Sequence, residues 1–196
     1  MDLRNLYTRT RTLIIKPHQA WQEILFESGT KQLVILDYLL PMSVIVGVST
    51  MLGSLFFADI EDSISIGYVL VNGIISFLIV FLEVFLAGWL IAEMTESFDD
   101  TVDSNRIFNL VIYSHAPFFL ALTISRLFPQ LMFLMITGIY SFFVFWLGIM
   151  RLLKIEEDKR IIFLFLSGLI MILLFLLLTV IFNSIYDLLL NQLSTF

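Results

Sequence analysis

The chain has 196 residues, of which 59% are hydrophobic and only 14% charged; its formal net charge is −6 and it has no cysteine. Soluble domains average about 25% charged residues, so a water-soluble fold cannot hide this apolar surface and the bilayer must serve as solvent for most of it. The acidic balance argues against nucleic-acid binding, which needs a basic face. The missing thiols exclude a disulfide framework or thiolate chemistry, and two histidines, His18 and His115, are too few for a His-rich metal cluster.

Residues 1–32 are polar and basic and lack the short apolar core of a cleavable signal peptide. Within them, Ala20, Trp21, Ile24 and Leu25 recur at helical spacing opposite Gln19, Gln22, Glu23 and Glu27. Pro17 suits the first turn of a helix. This pattern predicts an amphipathic helix over 17–28 lying along the membrane surface. Pro17, Trp21 and Ile24 would anchor it at headgroup level, and the basic residues upstream would favour anionic lipid.

Five apolar runs follow, at 33–57, 66–92, 106–125, 130–150 and 161–182. Each approaches the roughly 20 residues a spanning helix needs, and only a helix satisfies its own backbone in lipid. The expected fold is an all-α polytopic membrane bundle with five transmembrane helices over 33–182. A tail at 183–196 has a weaker amphipathic pattern through Ile185, Leu188, Leu189 and Leu193. The third run carries Asn109, His115 and Pro117, which leaves open whether it crosses fully or is broken or re-entrant.

Ten of the eleven basic residues fall on one side of a five-span plan: Arg4, Arg9, Arg11, Lys16, Lys31, Arg106, Arg151, Lys154, Lys159 and Arg160. Arg126 alone falls on the other, where the loop 58–65 holds Asp59, Glu61 and Asp62. The asymmetry predicts a cytoplasmic N-terminus and an outside C-terminus.

Ionisable groups at depth are costly and so are candidates for function. Glu83 and His115 each lie about 13 Å from the inner interface on the second and third runs, which a short loop joins as antiparallel neighbours. Facing each other, they would share a proton or stabilise opposite charges; a polar clasp between helices is the plainer alternative. Asp37 lies about one turn inside the first run, where Pro41 deprives its carbonyl of a helical partner. Pro117 does the same for Tyr113. The candidate intramembrane polar site is therefore Asp37, Glu83, Tyr113, His115 and Pro117.

The loop 93–103 holds Glu93, Glu96, Asp99, Asp100 and Asp103 without the spacing of a calcium loop, and Asp100, Thr101 or Asp103 suits a cap on the next helix. Small residues mark expected close helix contacts: Gly47, Ser49 and Gly53, then Gly73 and Ser76, then Gly138 and Ser141. Leu and Phe rows are expected to face lipid. No phosphate-binding loop, nucleophile elbow or metalloprotease helix is present. No catalytic, cofactor-binding or metal-ligating residue is therefore assigned.

Several local patterns occur in order: K-P-x-x-A-W-x-E-I from Lys16 to Ile24, G-W-L-I-A-E-M from Gly88 to Met94, Arg106–Phe108 leading to Y-S-x-x-P from Tyr113 to Pro117, and Y-S-F-F-V-F-W-L-G-I from Tyr140 to Ile149. Together with the five-span plan, the chain resembles the Yip family of Ypt/Rab-interacting membrane proteins over roughly 15–182. The resemblance implies a cytoplasmic N-terminus and a role in membrane organisation or trafficking, with no catalytic residues to carry over. Eukaryotic members have a longer N-terminal region, so within the resemblance the short one here points to a prokaryotic relative, in a bacterial cytoplasmic membrane, and puts small-GTPase binding in doubt. Two functions compete. One is a non-enzymatic scaffold or adaptor whose partners are membrane lipid and a membrane protein or a second copy of itself. The other is a small transporter or lipid-moving protein using the Glu83–His115 region.

Overall fold

The computed structural model describes residues 3–27, 30–57, 66–98 and 103–193. The described residues form seven helices: α1 (Leu3–Ile15), α2 (Pro17–Phe26), α3 (Lys31–Phe57), α4 (Ile66–Thr95), α5 (Ser104–Leu127), α6 (Pro129–Leu152) and α7 (Glu157–Leu193). Helices α3 to α6 and the first thirty residues of α7 are long and apolar enough to cross a membrane. The chain is thus an all-α polytopic bundle. The acidic loop at 58–65, and Asp99 and Asp100, lie outside the described residues.

Helix α5 is the central rod. It packs against α3, α4 and α6, while α7 lies mainly along α4. Its most apolar stretch is 78% buried, against 28% in α6 and in α7. That difference explains its composition: the span richest in polar groups is the one shielded from lipid by protein.

The helices depart from regular α-geometry where prolines dictate. Residues Ile35–Leu39 of α3 widen into a π-turn just before Pro41, and the Leu40 N–H reaches back to the Ile35 carbonyl. A wide turn accommodates a ring that cannot donate into the helix. In α5, His115 ends the stretch Ser104–Ser114, and Ala116–Leu127 restarts with Pro117 in its first turn. The third span is therefore one broken helix that is long enough to cross. In α6, Pro129–Ile139 is wound as a 3₁₀-helix before Tyr140–Leu152 continues as an α-helix.

Close contacts fall where small residues permit them. A Cβ on Gly47 would lie 2.9 Å from the Gly73 carbonyl oxygen, so α3 and α4 touch backbone to backbone there. The Leu and Phe rows divide. Phe165 and Leu173 are exposed, whereas Phe119, Phe145 and Phe163 are wholly buried and build the interior.

The N-terminal segment departs from the surface-lying anchor that 17–28 suggests. Residues 3–15 are also helical, and α1 and α2 both dock onto the bundle. Pro17 and Ile24 are buried, Trp21 is 0% exposed, and the Trp21 indole N–H donates to the Val144 carbonyl at 2.9 Å. The ring sits over Gly148, where a Cβ would approach its Cζ2 at 2.8 Å. The apolar stripe of α2 thus meets protein rather than headgroups, because the glycine in α6 leaves a slot that fits an indole. At the other end, α7 runs unbroken from Glu157 to Leu193.

Candidate functional site: a buried carboxylate–imidazole pair

Glu83 lies mid-way along α4, twelve residues before Thr95, and His115 lies at the break of α5, eleven residues after Ser104. At about 1.5 Å per residue both are some 16–18 Å from the same end of the bundle. Antiparallel packing of α4 against the first half of α5 brings Glu83 Oε1 to 3.4 Å from His115 Nε2. Glu83 is 1% exposed and His115 6%.

The second imidazole nitrogen fixes the chemistry. His115 Nδ1 lies 2.7 Å from the Val111 carbonyl oxygen. A carbonyl only accepts, so Nδ1 carries a hydrogen and donates it. Nε2 then either bears a proton facing an ionised carboxylate or accepts one from a protonated carboxyl. In both states a single proton lies between the two groups and their combined charge is zero, which keeps the pair tolerable at depth. The second carboxylate oxygen, Glu83 Oε2, is buried with no hydrogen-bond partner among the described residues.

The break in α5 serves the same region. With no N–H on Pro117, the chain reopens its hydrogen-bond ladder here, and the Phe118 N–H donates to Ser141 Oγ on α6 at 3.1 Å. Five other buried hydroxyls are locally satisfied: Ser43, Thr50, Thr95, Ser114 and Ser125 each donate to the carbonyl four residues back.

A cavity of about 240 Å³ adjoins the pair, with Glu83, Ser114 and His115 in its wall. Aromatic and methionine side chains from α5, α6 and α7 form much of the rest, including Phe118, Phe142, Phe175, Met135 and Met171. Spans four and five, almost free of strongly polar side chains, therefore complete the site. A larger cavity of about 500 Å³ lies toward the opposite end and takes in Arg126, Tyr68 and Asn72.

The remaining sequence candidates lie elsewhere. Asp37 is exposed. Tyr113 packs edge-on against Tyr38, with ring centroids 4.9 Å apart. The Arg9 guanidinium lies over the Tyr113 ring at 5.5 Å, bonds Glu27 and comes within 3.9 Å of Glu23. Thr10 Oγ1 and the Tyr38 hydroxyl are 3.0 Å apart. These contacts tie α1 across α2 to the bundle, a structural role that the residue types by themselves do not reveal. At the base of α5, Asp103 accepts from the Asn105 backbone and side-chain N–H groups and caps the helix. Those donors hold its carboxyl below the ordinary carboxylate range.

The family model of the Yip1 domain matches residues 11–178. The chain belongs to the Yip family. The match begins within α1 and ends within α7, so in this Yip1 domain the docked N-terminal helices belong to the same unit as the spans. No curated protein and no solved structure matched the chain. The integral membrane character follows from the family and the five apolar helices together.

Proposed function

We propose that this Yip-family protein is a non-enzymatic scaffold or adaptor that organises its membrane, presenting α1 and α2 to partners on the cytoplasmic side. The observation that carries this reading is the seating of those two helices. Leu13, Trp21 and Ile24 are sunk into the bundle, so the helices form a fixed platform rather than a loose tail. The outward face of α1 holds Tyr7, Thr8, Arg11 and Ile15 at helical spacing. Exposed aromatic and arginine side chains are the types enriched where proteins meet. The interior supports the same reading: among the described residues that are buried, the acidic and basic ones are Glu83 and His115, whose charges balance.

The test is affinity capture from membranes solubilised in mild detergent. Tyr7→Ala combined with Arg11→Glu changes only exposed positions, so the bundle should elute and melt as the unmodified protein does. Under this proposal the variant loses the captured membrane-protein partners. Retention of the same partner set by the variant would remove α1 as the presenting surface.

A further inference from the structure

The cavity beside Glu83 and His115 has two features that the scaffold reading does not use. Its mouth is formed by Ile139, Ile172 and Leu176, all about half exposed or more. These residues lie on α6 and α7, the two spans least covered by protein, so the mouth opens sideways toward hydrocarbon. Its inner wall contains Glu83, whose Oε2 is the pair's one acceptor without a partner among the described residues.

We propose that this cavity binds a single-chain hydrophobe with an uncharged hydroxyl head, entering from the bilayer and donating its hydrogen bond to Glu83 Oε2. Size limits the occupant. A dry cavity of about 150 Å³ holds a benzene ring, so about 240 Å³ takes a head and a short stretch of chain, with the rest left in lipid. Charge limits it further. The carboxylate and imidazole already balance each other, so a cationic head would bring an uncompensated charge to mid-bilayer, and a phosphate head would also face the carboxylate. A neutral donor adds no charge and satisfies an oxygen that otherwise bears the cost of burial without a bond. The flexible side chains of Met135 and Met171 give the head room to reach it. The fit also suits a wall of aromatic side chains with few polar groups.

The experiment uses the full chain in lipid nanodiscs with three photoreactive probes carrying the same diazirine chain: hexadecanol, hexadecane and hexadecyl phosphate. Labelled peptides are identified by mass spectrometry. The alcohol should label the segments around Phe142 and Met171–Leu176 about fivefold more than the alkane, the ratio one net hydrogen bond supports. The phosphate should label them no more than the alkane does. Glu83→Leu should bring the alcohol-to-alkane ratio to about one. Ile172→Trp, a change at the half-exposed mouth that leaves the pair intact, should reduce labelling by all three probes. Equal labelling by alcohol and alkane in the unmodified protein, a preference that survives Glu83→Leu, or labelling unaffected by Ile172→Trp would each overturn the proposal. Because none of these readouts involves α1, they stand or fall separately from the scaffold function.

Discussion

At the scale of single residues, the Glu83–His115 pair is a case where removing one member should hurt more than removing both. His115→Leu leaves a buried carboxyl without its partner, and destabilisation on the order of 2 kcal/mol is expected, allowing for the weaker net value of polar contacts within membranes. Glu83→Leu with His115→Leu removes both demands and should recover most of that loss. Thermal unfolding of the single and double variants in detergent measures the coupling, and additive losses would show that the pair does not act as a unit. Trp21 offers a sharper contrast. Trp21→Ala vacates a fully buried indole and should cost about 3–5 kcal/mol. Trp21→Phe removes mainly the bond to the Val144 carbonyl and should cost about 1 kcal/mol.

At the scale of elements, the prolines and glycines set how the helices deform and how closely they approach. Gly47 and Gly73 let α3 and α4 meet backbone to backbone. Gly47→Leu should force them apart and lower the melting temperature, whereas Val48→Leu, at an exposed neighbouring position, should leave it nearly unchanged. The docked α2 should behave as part of the bundle: limited proteolysis should spare residues 17–26 in the unmodified protein and cleave them rapidly in Trp21→Ala. The same outcome in both proteins would contradict the docking. The 3₁₀ stretch of α6 has its own consequence. A narrower, more steeply rising coil carries Met135, Gly138 and Ile139 in the cavity wall.

At the scale of the whole molecule, the five-span plan and the distribution of basic residues make a topological prediction. Reporter tags at residues 1 and 196 should fall on opposite faces of the membrane, with the first in the cytoplasm. Tags on the same face would overturn the odd number of crossings. The architecture also explains why polar groups concentrate in α5. A helix wrapped by three spanning neighbours and touched by α1 can carry Asn109, Ser114 and His115 at a cost that lipid-facing α7 would not tolerate.

Much of this was legible in the residues because lipid imposes simple rules. Long apolar runs must be helices, so the five spans could be read from composition and length. Depth follows from helical rise, so Glu83 and His115 could be placed level with each other before any coordinates. Pro117 made a break in α5 one of the open readings of the third span, and Gly47 and Gly73 announced a close contact. What the residues did not reveal were relations between distant segments. The amphipathic stripe of α2 fits a membrane surface and a protein groove equally well, since both offer apolar cover; only the slot over Gly148 decided that Trp21 turns inward. The cavity was likewise invisible, because apart from the pair most of its wall comes from side chains of α5, α6 and α7 that look like ordinary lipid-facing residues. Sequence determined which segments enter the membrane and how deep their polar groups lie, through local geometry and the cost of burial. Tertiary packing alone decided which faces meet, and with them the void beside the pair.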